Sequence, residues 1–267
     1  MELSLFDYSF PKELVAQHPL PRREDSRMMV VDRKTGGWEH RRFPDLLEYL
    51  RAGDLLVLND AEADLVEFEG RRVPPLPPYI KRKKGEDFTD EDYQRYRTVY
   101  AKTPGSKAAP TAGFHFSEEI LKRIEGLGAK VRFLTLHVDY DTYKPIRCRD
   151  ISEHPMHGEE YAVPPETADA VTKAKREGRR VIAVGTTVVR ALESWRRDMT
   201  GKTNLFITPG FEFQIVDALL TNFHRPRSTV LVMVSAFAGR EFILSAYQEA
   251  IRECYRLFSF GDCMLVL

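Results

Sequence analysis

Short apolar runs that alternate with helix-period segments constrain this chain more than any other feature. Leu55–Leu58, Val131–Val138 and Val181–Val184 are blocks of Leu, Val, Ile and Phe, short enough to be buried strands. Between them lie segments of helical spacing. Ser117 with Glu118 and Glu119 opens one whose inner face is Ile120, Leu121, Ile124 and Leu127. Residues 166–177, 188–195 and 240–255 carry the others. Buried strands alternating with helices predict an α/β fold, with a Rossmann-like layered core around a mixed, mainly parallel sheet. A chain of 267 residues fits one large domain, or one plus a small lobe.

The alternation fails in one place. Residues 60–70 are acidic with scattered apolar side chains, and Pro74, Pro75, Pro77 and Pro78 then forbid helix or central strand. The expected organisation is therefore a core made of residues 1–60 and 74–267, interrupted at 61–73.

Charge excludes one class of partner-driven reading. Lys plus Arg and Asp plus Glu both number 40, so no overall field drives the chain onto polyanions, and nucleic-acid binding requires a local basic patch. Arg22-Arg23, Arg41-Arg42, Lys81 to Lys84 and Arg225 with Arg227 are the candidates. The apolar stretch Val230–Ala238 is far short of the roughly 20 residues that span a bilayer. The first residues have neither a basic nor an apolar leader region. Cys148, Cys254 and Cys263 are odd in number and form no C-x-x-C. The expectation is a cytoplasmic protein without membrane, disulfide framework or resident metal.

Four polar constellations sit where strands give way to turns. In Gly185-Thr186-Thr187 a buried strand hands over to a helix, so free N–H groups and the helix dipole suit a carboxylate or phosphate, with Arg190 one turn further in. A capped strand–helix turn is the plainer reading. Thr111, Gly113, His115 and Phe116 belong to a segment of small residues before a helix; a packed core histidine is the alternative there. His154, His157 and Glu160 hint at a metal, but Pro155 and Gly158 argue against the regular helix of a zinc motif. Asp217, Thr221, Asn222, His224 and Ser228 supply an acceptor, an amide, a titratable ring and a cap within one strand–turn–helix passage. His137 stands at a strand end. Five of the seven histidines fall in such turns, which favours one small-molecule pocket.

As a set, Leu76-Pro-Pro-Tyr-Ile80, Ala109 to Phe116, Leu136-His-Val138, His154 to Glu160, Val184 to Ser194, Pro209 to Gly239 and Phe258 to Asp262 resemble the S-adenosylmethionine:tRNA ribosyltransferase-isomerases of queuosine synthesis. The resemblance implies transfer of the ribosyl part of S-adenosylmethionine to an aminomethyl-deazaguanine at the wobble position of a tRNA with a GUN-type anticodon. The product is epoxyqueuosine; adenine and methionine leave. It implies S-adenosylmethionine as co-substrate and no cofactor; a monomer is expected. It makes His115, His137 and His224 acid/base candidates. It makes Thr111, Gly113, Phe116, Thr142, His154, His157, Glu160, Gly185, Thr186, Thr187, Arg190, Asp217, Thr221, Asn222 and Ser228 substrate-binding candidates.

The chain departs from the family pattern at three points. Residues 61–73 stand where the family carries an inserted β-barrel, so that lobe is expected to be absent or vestigial. Asn59-Asp60-Ala61-Glu62 replaces the family's Asn-Asn-Thr-Arg or Asn-Asp-Thr-Arg. Asp139 and Asp141 replace two glycines, where side chains are expected to obstruct backbone approach to a ligand. Two rival readings remain: a non-catalytic relative that binds S-adenosylmethionine or tRNA, and a metal-dependent hydrolase on His154, His157 and Glu160.

Overall fold

The computed structural model describes residues 1–68, 70–81, 88–139, 142, 145–195 and 200–267. Arg82, Lys83 and Lys84 of the basic run, and Asp141 and Tyr143, lie outside the described residues. Thirteen strands are described: β1 (Arg27–Asp32), β2 (Gly37–Arg42), β3 (Leu55–Asn59), β4 (Ala61–Ala63), β5 (Val66–Phe68), β6 (Arg71–Val73), β7 (Thr103–Ser106), β8 (Lys130–Leu136), β9 (Glu159–Ala162), β10 (Val181–Val184), β11 (Thr200–Thr203), β12 (Ala218–Asn222) and β13 (Cys263–Val266). The helices are α1 (Leu46–Tyr49), α2 (Asp90–Arg95), α3 (Glu118–Gly126), α4 (Pro165–Arg176), α5 (Thr186–Trp195), α6 (Thr229–Ala238) and α7 (Arg240–Arg252).

Nine strands form one sheet in the order β11-β9-β8-β3-β10-β12-β13-β1-β2. Its centre, β8-β3-β10-β12, is parallel. The flanks turn antiparallel, through β8-β9 and β9-β11 on one side and β12-β13 on the other; β13 pairs parallel with β1, and β2 closes the edge antiparallel. Mainly parallel therefore describes the middle of the sheet, and the whole is mixed. The central strands are apolar along their whole length because both faces are covered. β3 and β10 are buried at every position.

One face packs under Phe43, Leu46, Phe116, Ile120 and Ile124, from α1, α3 and the segments before them. The other packs under Val171, Val188, Leu192, Val232 and Tyr247, from α4 to α7. α6 and α7 are bent 111° apart at Gly239, and no single helix among the described residues is long and apolar enough to cross a membrane. At 61–73, β4 pairs with β7, while β5 and β6 make a three-residue hairpin beyond it.

Chain order places the open site. β3 has β8 on one side and β10 on the other, so successive crossovers leave it in opposite directions and part at the carboxyl ends of the central strands. Asn59, Val138, Gly185 and Asn222 all stand at or just beyond those ends.

Candidate functional site

A cleft of about 850 Å3, counting its open mouth, lies across these strand ends. Thr111, Thr142, Gly185, Thr186, Thr187, Thr221, Asn222, His224 and Ser228 all line it. A smaller lobe of about 380 Å3 adjoins it, sharing Thr142, Thr186 and Thr187, with Met156, Phe206 and Met233 as apolar wall and Glu159 and Arg190 as polar floor.

The local geometry follows from the sequence. Gly185 has φ +94°, which an L side chain rarely adopts, and it lets β10 turn directly into α5. The first N–H groups of α5 and its positive dipole end therefore open on the cleft. Thr187 is engaged: its hydroxyl oxygen accepts from Asn59 Nδ2 at 3.2 Å. Thr186 is different. It is only 8 % exposed, it lines both lobes, and among the described residues its hydroxyl has no partner. A hydroxyl so placed can donate to an anion seated at the helix terminus.

Asn222 and His115 form the back wall. Thr111 Oγ1 donates to Asn222 Oδ1 at 3.1 Å, and Asn222 Nδ2 donates to His115 Nε2 at 3.2 Å. His115 Nδ1–H then donates to Ser26 Oγ at 2.7 Å, and Ser26 donates to Arg23 O at 3.2 Å. This directionality fixes the imidazole as the Nδ1–H tautomer. Burial, aided by Arg23 and Arg256, pulls its pKa down to about 3. Both ring nitrogens are engaged and neither faces the main cleft. His115 is thus a positioning residue for Asn222 and not a direct acid or base, because the Asn222 side chain stands between it and the cavity.

His224 is half-buried and on the cleft wall. Its backbone is held by Tyr8, whose hydroxyl donates to His224 O, and by Tyr247, whose hydroxyl accepts from His224 N at 2.9 Å. Its Nε2 is 2.7 Å from Thr221 Oγ1, a hydroxyl able to donate or accept and so compatible with either tautomer. Burial pulls its pKa down to about 3, so the ring is neutral, and in the tautomer whose Nε2–H donates to Thr221 the Nδ1 lone pair is free. No carboxylate is among the described residues lining the main cleft, which leaves His224 as its one imidazole base there.

Several expected site residues stand elsewhere. Asp217 precedes β12, one strand length from Asn222, and binds Lys175 Nζ at 2.7 Å and Val181 N at 2.8 Å. Phe116 is fully buried edge-on against Phe43, 4.9 Å between centroids. Gly113 is packed so tightly that a Cβ would lie 2.0 Å from Tyr100 Oη, which makes it a packing glycine. His137 alternates with the cleft-lining Val138 and turns its ring toward Gly105.

Arg190 lines the smaller lobe, but Glu159 holds it: they form a buried ion pair, and Arg190 also donates to Thr203 O and Leu205 O at 3.1 Å each. It is not free for an external anion. Burial raises the Glu159 pKa; His157, Arg190 and the Asp139 N–H outweigh it and hold the carboxyl below its usual range. The alternation of β9 turns Glu159 inward and Glu160 out to solvent. His157 reaches Glu159 at 3.3 Å, while His154 stacks edge-on against Phe206. Among the described residues no group of His, Cys, Asp and Glu is arranged to hold a metal ion.

Asp139 does not obstruct the cleft. Its side chain turns outward to Lys107 Nζ at 2.7 Å, while its N–H donates to Glu159 Oε1 at 2.9 Å. Tyr79, Arg225, Val230, Phe258 and Ser259 line the cleft as well and fall outside the set that the polar turns single out. Tyr79 and Ser259 belong to strings that carry the family resemblance, which is the signal the sequence holds for them.

With this geometry in view, a sequence model of the family described as "Queuosine biosynthesis protein" matches residues 3–73 and 63–266. The chain belongs to this family. It is 38% identical to the S-adenosylmethionine:tRNA ribosyltransferase-isomerase of Halothermothrix orenii and 42% identical to that of Carboxydothermus hydrogenoformans, each alignment covering all of both chains. The crystal structure of S-adenosylmethionine tRNA ribosyltransferase from Thermotoga maritima superposes with a TM-score of 0.72 at 36% identity, over 98% of this chain and 100% of that one. The Halothermothrix alignment runs to 347 columns against the 267 residues here, which leaves 80 columns without a residue of this chain. The family match breaks and resumes at 63–73.

Proposed function

We propose that this chain is an S-adenosylmethionine:tRNA ribosyltransferase-isomerase. It moves the ribosyl moiety of S-adenosylmethionine onto the aminomethyl-deazaguanine wobble base of tRNA, isomerises it, and yields epoxyqueuosine with release of adenine and methionine. The observation that carries this reading is end-to-end identity of 38–42% with relatives of that name. The cleft at the sheet switch point supports it.

The reaction asks three things of a site, and the cleft offers a group for each. A methionine carboxylate needs an anion cradle: the N–H groups opening α5, with the Thr186 hydroxyl, supply one without a fixed positive charge. An acidic C–H beside a sulfonium needs a base: the neutral imidazole of His224 takes that role. A base ring entering the cleft needs a fixed polar group: Asn222 Oδ1, which accepts from Thr111, keeps a second lone pair for it, the amide N–H groups being held by His115 and Phe258 O. Nothing in this set requires a cofactor. The two-lobed shape suits two substrate parts, the apolar lobe by Met156, Phe206 and Met233 accepting the less polar one.

We take the β5–β6 hairpin to stand where longer relatives carry an inserted lobe, supported by the gapped alignment and by the break at 63–73. We further propose a monomer acting in the cytoplasm on tRNAs with GUN-type anticodons. The test is incubation with S-adenosylmethionine and tRNA carrying the aminomethyl-deazaguanine. Adenine release that depends on that tRNA supports the reading; tight binding of both without adenine favours the non-catalytic alternative.

A further inference from the structure

Behind the Asn222–His115 wall lies a second pocket, open to solvent and about 290 Å3 counting its mouth, lined by Arg22, Arg23, Arg95, His115, Phe114 and Ser259 among others. Its charge is unbalanced. Arg23 donates to Phe114 O at 3.2 Å and Gln94 O at 3.0 Å, and has no carboxylate partner among the described residues. Arg95 donates to Pro21 O at 3.0 Å, and its Nε is buried with no partner among the described residues. Its one carboxylate neighbour among the described residues, Glu91, stands 3.7 Å away and half exposed. Glu24 is spent on Arg22, at 2.6 Å, and on the Ser117 hydroxyl. Backbone carbonyls therefore orient two guanidinium groups into one partly desolvated pocket with no anion between them among the described residues. Burial and the charge of Arg95 pull the Arg23 pKa down to about 10, the response expected of crowded cations.

Proteins seldom keep such an arrangement unless something negative completes it. The cavity is also placed to serve the main cleft. Ser259 lines both, and the chain Thr111–Asn222–His115–Ser26–Arg23 crosses the single side-chain layer between them. A nucleotide whose base enters the main cleft brings a phosphodiester on each side of its ribose.

We propose that Arg23 and Arg95 form a phosphate subsite that grips a backbone phosphodiester flanking the modified nucleotide of the substrate tRNA. The inference rests on the tRNA-modifying reading above and adds to it the place where the strand is held. Planar guanidinium donors suit a phosphate in two-point contact, and the contact carries register and no base identity. The main-chain carbonyl of Arg23, which accepts from Ser26, ties the arm that carries this guanidinium to His115 and Asn222.

The test uses an RNA anticodon stem-loop carrying the aminomethyl-deazaguanine, with one phosphate at a time replaced by a neutral methylphosphonate. One position flanking the modified nucleotide is expected to weaken binding to the wild-type protein about tenfold, the scale of a lost charge-assisted contact. In Arg95→Gln and Arg23→Gln that position becomes insensitive. The slope of log affinity against log salt falls in magnitude by about 0.7 per lost contact, and S-adenosylmethionine affinity is unchanged. Arg95→Lys recovers part of the affinity. A flat scan on wild-type protein that still releases adenine overturns the subsite alone, as does a variant with unchanged tRNA affinity and salt slope. If the variants do not fold, the wild-type scan decides by itself. If the wild-type protein neither binds the stem-loop nor releases adenine, the reading of function falls and the subsite with it.

Discussion

Two histidines, 115 and 224, are each held neutral, and their surroundings separate their work. His224 has the cleft on one side and no competing carboxylate among the described residues there. His224→Ala is expected to lower the turnover number about 100-fold or more while moving S-adenosylmethionine affinity less than about threefold, read by single-turnover adenine release beside a calorimetric titration. Turnover within about threefold of wild type removes it as the base. Thr186→Val keeps the shape and deletes the free hydroxyl; it should weaken S-adenosylmethionine binding roughly tenfold, measured by the same titration. His115 makes a stability prediction instead. Its folded pKa of about 3 lies below the ordinary 6.5, so the unfolded chain binds the extra proton. Its contribution is complete above pH 6.5 and lost as pH falls toward 3. Between about pH 6.5 and 5 that amounts to ~2 kcal/mol. Urea unfolding at those two pH values should show the loss in the wild-type protein and a smaller one in His115→Gln.

At the scale of elements, the Glu159–Arg190 pair ties β9 to α5 and, through Thr203 O, to β11. Removing one partner strands a buried charge. Arg190→Met alone should cost about 3–5 kcal/mol, and Glu159→Gln with Arg190→Met less than the sum of the two single changes, by chemical denaturation. Additive costs would mean that the pair does not act as a unit. The elements are largely legible in the sequence: β3, β8 and β10 and the helices α3, α4 and α5 follow from apolar runs and helical spacing. The antiparallel flanks are not, since strand direction is set by pairing partners far away in sequence. Side-chain placement is legible only where a residue ends a central strand. Gly185, Thr186, Thr221 and Asn222 reach the cleft for that reason. Asp217 does not, because the five residues of β12 separate it from that end of the sheet. Spacing points to Glu160 where the structure uses Glu159, because it cannot tell which face of a flanking strand turns inward; the pairing of β9 with β8 decides that.

Over the whole molecule, zero net charge gives no hint of a nucleic-acid substrate, and its counterpart in the structure is local: arginines gathered by Arg23 and Arg95 behind the cleft, and Arg225 at its wall. Three segments far apart in sequence, near residues 111, 186 and 224, converge because β10 and β12 sit side by side in the sheet and Thr111 is hydrogen-bonded to Asn222 at the end of β12. Hydrogen–deuterium exchange with and without S-adenosylmethionine tests whether the three form one pocket, without altering a residue. Slowed exchange is expected in peptides covering 109–116, 184–190 and 221–230 together, at one saturation midpoint. Protection confined to other regions, or to one of the three alone, would contradict it.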